Sequence, residues 1–537
     1  MTVRLLALGG VAAGLGVLLL RLVPDVRGKP LFEDEAVAGL IAARPLPEVV
    51  VTVMWERGGG PLHFVLGHAA FVLDPSPYAL RWLSIVFALA TIPLCFDLAS
   101  RLAGPAAGVV AALVTATSSF LLVYGTFGRM YSLYAFVAAL AVDLFLVARE
   151  RRTWQWALAA AGAAWLLPAV HPYGLFLVFA EGAVALWLWR GRPIRPALPV
   201  FAVGLTMIPF LVADVRLASR FSVGIDGEDR LATPTSAFGH LGRAFAATAG
   251  GEGIAAGVAV ALVAAGLVVL ARRDRPFVAL CLLAFLVPPL LLVLGRSGTA
   301  PGLSPRHVMY VLPLTAALIG VAVAHALRGR GLLVSSAAVA AVGVLLALAP
   351  FGGIRDPRDW TNDVLGSGEA ETALGSEERL EETAAWLDSN VRAGDAFFPY
   401  SVAFFSGLPA TGRASGLPYS QPTLMLRAVD RLEFPVPRVL VSVPAGAAPV
   451  DIAALEGLLG PGFEVHPLGA WVVVVGTGPF ADERAVLAAL HRALSSAREA
   501  IPGASNELAG FLRVSLATVC GSFRAGWGEE CPPAGAR

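Results

Sequence analysis

The sequence predicts a polytopic α-helical membrane protein of about 11 transmembrane helices, of the size a bilayer demands, with a C-terminal extracytoplasmic α/β domain. Three observations predict it. Of 537 residues, 57% are hydrophobic and only 15% charged, with a mean hydropathy of +0.72; soluble domains carry roughly 25% charged residues. The apolar residues run in long blocks rather than amphipathic stripes. The net charge of +1 also hides a division: residues 1–350 hold 26 Lys+Arg against 17 Asp+Glu, and residues 351–537 hold 14 against 22. A basic membrane part is joined to an acidic tail. A soluble enzyme, a disordered chain and a coiled coil are excluded, because each needs charged surface or a periodicity that this chain lacks.

A helix needs about 20 apolar residues to cross about 30 Å of hydrocarbon. Blocks of that size fall at 3–23, 79–100, 105–124, 129–148, 154–171, 173–190, 196–214, 254–271, 277–295, 307–327 and 331–350. The first has the length of a signal peptide but no small-residue cleavage site before Arg21, so it is read as a retained span. Compact basic loops at 149–152, 190–195, 272–275 and 328–330 all fall on one side of these spans. The excess of arginine marks that side as cytoplasmic. Loops 24–78, 215–253 and 296–306 then face outward, the N-terminus lies inside and the tail outside. The apolar block at 61–73 is too short for an ordinary span and is assigned to a juxtamembrane helix on the outer surface. Residues 1–353 thus form the membrane domain and 354–537 the extracytoplasmic domain.

In the tail, Asp395–Tyr400, Arg438–Val443 and Trp471–Val475 read as buried strands, and Glu377–Ser389, Asp451–Leu459 and Asp482–Glu499 as helices. Cys520 and Cys531 lie there and can pair in an oxidising compartment. Cys95 and Cys281 sit in apolar blocks, where a thiol behaves as a small hydrophobe.

The sharpest chemical feature is Glu33-Asp34-Glu35, just after the first span. Charge alone leaves two readings: a solvated loop, or a carboxylate held at the lipid–water boundary as a general base. Glu181 falls mid-span, and Asp97, Asp143 and Asp214 near span ends; none is assigned to a site. Trp154, Trp156, Trp187 and Trp189 read as interface anchors. Asp226-Gly227-Glu228-Asp229 reads as a solvated loop, with cation binding as the alternative. There is neither a Walker loop nor a GxGxxG, and nothing points to nucleic acid.

The acidic triplet followed by Gly60-Pro61-Leu62-His63-Phe64 is similar to the start of the GT-C glycosyltransferases, in the protein O-mannosyltransferase and aminoarabinose-transferase group. Arg81-Trp82-Leu83-Ser84 resembles the family's Arg-leading span, and Tyr124 to Leu133 its Tyr-x-x-x-x-Arg-x-Tyr-x-Leu segment. His171-Pro172-Tyr173-Gly174 resembles a His-Tyr-Tyr-Gly turn, and Pro305-Arg306-His307 a late Arg-Tyr pair. Asp359-Trp360 and Gly394-Asp395 extend the likeness loosely into the tail. Gly59 and Gly60 depart from the family pattern, which has histidine and proline before Pro-Leu. The role of that histidine is then absent, or passes to His63 or His68.

The resemblance implies an inverting transfer of a sugar from a polyprenyl-phosphate donor to a hydroxyl on the outer face. Asp34 is the implied general base, with Glu35 orienting it or binding the acceptor. Arg306, then Arg129 and Arg81, are the implied donor phosphate ligands, since guanidinium binds phosphate oxygens bidentately and stays charged. Substrate contacts fall to His171, Tyr131 and His63. The residues themselves also admit blander roles: outer arginines anchor helices in headgroups, and His171 can be a polar helix end. The expected partners are the lipid-linked donor, a glycan, glycolipid or protein acceptor, and membrane lipids. No cofactor and no metal ligands are assigned, with a divalent cation left open. The rival readings are a transporter or flippase, whose paired broken-helix repeats are not evident, and a catalytically silent glycan-binding relative.

Overall fold

The structure, a computed structural model, describes residues 2–28, 33–57, 59–74, 76, 78–191, 198–220, 254–294, 305–330, 435–444, 452–468 and 471–500, with isolated positions within 242–248, 386–397 and 508–520. In chain order the helices are α1 (Thr2–Gly28), α2 (Glu33–Ala42), α3 (Leu46–Val51) continued by a π-helical turn (Thr52–Arg57), α4 (Leu62–Leu73), α5 (Ala79–Ala103), α6 (Pro105–Ala116) and α7 (Ser119–Tyr124). There follow α8 (Tyr131–Arg151), α9 (Trp154–Val170), α10 (Gly174–Trp189), α11 (Leu198–Leu205), α12 (Ile208–Arg220), α13 (Ile254–Ala271), α14 (Arg275–Leu294) and α15 (Val311–Ala326). The tail adds β1 (Ala396–Phe397), β2 (Val436–Pro444), α16 (Ile452–Leu459), β3 (Phe463–Leu468), β4 (Trp471–Phe480) and α17 (Glu483–Ala500). By packing the chain divides into two units. Met1–Val26, Gly58–His63 and Arg81–Arg355 form the first; Arg27–Arg57, Phe64–Leu80 and Asp356–Arg537 form the second.

The first unit is helical. Leu8–Val26, Ala79–Ala103, Tyr131–Arg151 and Leu198–Val215 are long and apolar enough to cross a membrane by length and composition, and shorter apolar helices include Pro105–Ala116, Gly174–Trp189 and Val311–Ala326. Small residues bring these helices close: a Cβ on Gly320 would lie 2.4 Å from the Ala107 carbonyl oxygen, the kind of backbone approach by which helices associate in lipid. The block at 331–350 lies outside the described residues.

The apolar blocks conceal breaks that matter for the site. The expected span 105–124 is α6 and α7, separated at Thr117 and Ser118. Ser118 caps α7 by accepting the Leu121 N–H at 3.3 Å, a local bond that competes with helix continuation. The expected span 129–148 starts only at Tyr131, which leaves Arg129 in the connecting loop. The expected span 154–171 stops at Val170, because Pro172 disfavours helical backbone at His171, whose φ and ψ are −151° and 134°. The helix expected from 307 begins at Val311 after a 3-10 turn, Pro305–Val308.

Two basic loops expected on one side do meet. Arg149 grips Asp274 with two bonds, at 2.6 and 2.5 Å. Beside them Arg101 reaches Asp97, Asp143 at 2.9 Å and Glu150 at 3.1 Å. At the opposite ends of α8 and α9 lie the Arg129 loop and the His171 turn.

In the second unit, α2 buries Ala38, Ile41 and Ala42, and His68 Nδ1 donates to the Ala42 carbonyl at 3.0 Å. The tail's described strands form a four-stranded sheet in the order β1-β2-β4-β3, with β1 parallel to β2 and the other pairs antiparallel. Val439, Val474, Leu455, Leu487, Leu490 and Leu494 share one core with the helices α16 and α17. The buried Asp395 accepts the Arg438 Nε–H at 2.8 Å, while Arg438 also donates to the Asn390 carbonyl at 2.5 Å. β3 was not expected, and most of the helix expected at 377–389 lies outside the described residues. Cys520 is disulfide-bonded, Cys95 and Cys281 are free, and Cys531 lies outside the described residues.

Candidate functional site

Three chain segments meet in the first unit: the loop 125–130 into α8, the turn 171–173 between α9 and α10, and the 3-10 turn Pro305–Val308 before α15. The first is held from below by α5, whose Ser84 Oγ donates to the Phe127 carbonyl at 2.7 Å. Ser132 Oγ closes the loop on the other side by donating to the Tyr124 carbonyl at 2.8 Å. Arg129 is thereby buried, at 4% exposure, rather than extended into solvent.

His171 occupies the centre. Its backbone N–H still donates to Leu167 at 2.9 Å, and its carbonyl accepts from Gly174 at 2.9 Å, so Pro172-Tyr173 forms a tight turn. The Tyr173 N–H donates to His171 Nδ1 at 3.2 Å. An accepting Nδ1 places the proton of the neutral ring on Nε2. Burial, then the nearby charges of Arg129 and Arg306, push this imidazole's pKa down to about 3. The ring is therefore neutral at physiological pH, with Nε2–H as donor.

Aromatic rings enclose that imidazole. Tyr134 stacks on it at 4.9 Å and 14°, Tyr173 at 5.5 Å and 27°. His307 lies 5.6 Å away and stacks in turn on Tyr173 at 5.3 Å. Tyr131 is 6.2 Å from His171, and the Arg306 guanidinium carbon sits 5.8 Å from the Tyr131 ring centre. Thus Arg129, Tyr131, His171 and Arg306, four of the residues expected at the site, form one cluster. Two guanidinium groups beside a neutral N–H donor and tyrosine faces suit an anionic oxygen-rich group.

The other expected residues are placed differently. Arg81 is fully buried and its Nη1 donates to the Val26 carbonyl at 2.7 Å, which fastens α5 to the last turn of α1. His63 is buried at the start of α4. Just before it, Gly59 N–H donates to the Ala213 carbonyl of α12 at 3.1 Å. A Cβ on Gly60 would lie 2.4 Å from the Ala169 oxygen and 2.8 Å from that of Pro168. The departure from the family's His-Pro pattern thus has a packing cause: glycine alone lets this segment lie against the end of α9, two residues before His171.

Asp34 and Glu35 begin α2, in the second unit. Glu35 is buried, at 3% exposure; the side chain of Asp34 lies outside the described residues. Elsewhere, Glu181 on α10 and Asp214 on α12 are buried with carboxylate oxygens that have no hydrogen-bond partner among the described residues. No group of three or more His, Cys, Asp or Glu among the described residues is placed to hold a metal. The Asp226–Asp229 cluster lies outside them. Sequence reasoning gave no role to Tyr134, Tyr173 or His307. Tyr173 and His307 lay within the quoted motifs; for Tyr134 the signal was its spacing from Tyr131, which puts both on one face of α8.

No protein-family profile and no curated protein matches the chain. Solved structures do. The chain is similar to ArnT from Cupriavidus metallidurans in the apo state, with a TM-score of 0.56 at 16% identity over 88% of this chain and 100% of that one. Against ArnT bound to undecaprenyl phosphate the values are 0.55, 14%, 88% and 99%. A weaker likeness, at a TM-score of 0.47, is to the arabinofuranosyltransferase AftD from Mycobacteria, of which the chain covers 40%. The chain shares the fold of these ArnT structures, and at this identity the likeness is one of fold.

Proposed function

We propose that the protein is an inverting glycosyltransferase that moves a sugar from a polyprenyl phosphate to a hydroxyl on the outer face of the plasma membrane. The observation that carries this reading is the convergence of Arg129 and Arg306 on the His171 turn, in a chain with the fold of a protein crystallised with undecaprenyl phosphate. A lipid phosphate leaving group gathers negative charge as the anomeric bond breaks. Fixed guanidinium groups at a membrane boundary stabilise that charge without reorganisation. Asp34 takes the proton of the acceptor hydroxyl as its oxygen attacks the anomeric carbon, and the sugar–phosphate bond breaks to release polyprenyl phosphate. Glu35 orients Asp34 or holds the acceptor, and His63 contributes on the acceptor side. Arg81, expected as a third phosphate ligand, instead fastens α5, whose Ser84 holds the Arg129 loop, and so serves the phosphate through Arg129.

Residues 1–353 are assigned as the transmembrane catalytic domain of about 11 spans, each near the length a bilayer requires. Residues 354–537 are assigned as an extracytoplasmic α/β domain that helps select a glycan, glycolipid or protein acceptor. The disulfide at Cys520 supports an oxidising compartment for that domain. The meeting of the Arg149 and Asp274 loops supports a shared cytoplasmic side for both. The test is a transfer assay with the full-length protein in membranes and a panel of radiolabelled polyprenyl-phosphate sugars. Label released from one donor onto an acceptor is the expected result; intact donors throughout, alongside active ArnT as a control, would refute the reading.

A further inference from the structure

We propose that Tyr134 is a positioning residue that holds the His171 ring so that its Nε2–H points at an oxygen of the donor's lipid phosphate. This rests on the transferase reading above. The Tyr173 N–H on Nδ1 fixes which nitrogen carries the proton, but one hydrogen bond still lets the ring rock about its χ2 axis. The nearly parallel Tyr134 ring, 4.9 Å away at 14°, removes that freedom from one face, while Tyr173 and His307 close the rest. Stacking of this kind adds to orientation beyond simple burial.

The hydroxyl of Tyr134 has no part in this. It is buried with no hydrogen-bond partner among the described residues, and the residue is 0% exposed. The ring, rather than the phenol, does the positioning. The same rings tie α8 to the 3-10 turn that carries Arg306: His307 of that turn lies 5.6 Å from His171, and Arg306 sits over Tyr131, one turn from Tyr134 on α8. A neutral N–H donor near two guanidinium groups gives the phosphate a third, directional contact without adding like charge.

The experiment compares the full-length protein in nanodiscs with Tyr134→Phe, Tyr134→Leu, His171→Gln and the Tyr134→Leu/His171→Gln pair. Tyr134→Phe keeps the ring and is expected to hold the donor KM within about twofold of the wild type. Tyr134→Leu is expected to raise it about tenfold with kcat changed far less, and to add nothing in the His171→Gln background, as coupled groups do. Solid-state NMR of ¹⁵N-histidine protein, with His171→Gln identifying the signal, reads the ring directly. A protonated Nε2 and bare Nδ1 are expected in the wild type, and a broadened or mixed pattern in Tyr134→Leu. Equal damage from Tyr134→Phe and Tyr134→Leu, additive effects in the pair, or an Nδ1-protonated His171 would each overturn the proposal. If no donor is turned over by the wild type, the transferase reading fails, and the NMR pattern still decides whether Tyr134 orients His171.

Discussion

The guanidinium carbon of Arg306 lies 5.8 Å from the centre of the Tyr131 ring, within cation–π range. In the proposed function this arginine holds the donor's phosphate, so Arg306→Ala is expected to cut kcat/KM for the donor by at least about a hundredfold, the scale for loss of a charge-assisted contact to a developing anion. Arg306→Lys keeps the charge but loses the planar fork and is expected to recover only part of it. Tyr131→Leu removes only the ring beneath and is expected to cost about two- to fivefold, matching about 0.5–1 kcal/mol. Unchanged donor kinetics in Arg306→Ala would remove that residue from the site.

His171 gives the folded protein a pH signature. Its folded pKa, about 3, is below the ordinary histidine value of 6.5. Below pH 6.5 the unfolded chain binds a proton that the folded one refuses, so stability falls as pH drops from about 6.5 toward 3. The slope from this group is at most about 1.4 kcal/mol per pH unit. Thermal unfolding in nanodiscs between pH 7.5 and 4.5 is expected to show a shallower acid limb in His171→Gln than in the wild type. Identical limbs would mean that the imidazole is solvated.

Gly60→Ala tests the tight approach before α4. The new methyl would meet the backbone of Pro168 and Ala169, which cannot swing aside as a side chain does. A loss of about 1–3 kcal/mol is expected for overpacking of this kind, with activity falling because the end of α9 carries the His171 turn. Wild-type stability in Gly60→Ala would contradict the packing.

The topology has its own test. Cysteines introduced at Gly191 and Gly227 are expected to label with impermeant maleimide from the inside and the outside respectively, in a background lacking exposed native thiols. Breaking the Arg149–Asp274 pair with Arg149→Ala is expected to lower thermal stability while leaving the donor KM unchanged, since the pair lies at the opposite ends of the helices from His171. The reverse labelling pattern would invert the arrangement of loops.

Where the long apolar helices lie was legible, because long apolar runs demand helix in lipid whatever their neighbours do; α2, α3 and the π-helical turn, inside the expected loop 24–78, were not. Where the helices break was not. Ser118 and Pro305–Val308 sit inside or beside apolar runs, and their local hydrogen bonds and turns leave no trace in hydropathy. The loop between α7 and α8 and the 3-10 turn before α15 place Arg129 and Arg306 outside the long helices. β3 escaped notice because Phe463–Leu468 mixes Glu464, His466 and Pro467 with its apolar residues. It lies at the sheet's edge, where proline is tolerated. Arg129, His171 and Arg306 stood out through motif order. Tyr134 did not, since a tyrosine in an apolar helix reads as core until its stacking partner is seen. Gly60 is required by its packing against Pro168 and Ala169, and Gly59 by its positive φ of 100°.

The central claim is that Asp34 deprotonates the acceptor while the phosphate leaves. Its most direct test is sugar transfer by Asp34→Asn, measured in the radiolabelled assay beside the wild type, with expression and thermal stability matched. The account expects turnover to fall by about a hundred- to ten-thousandfold, the scale for loss of a general base, while donor binding persists. Turnover near the wild-type rate in that variant would contradict it.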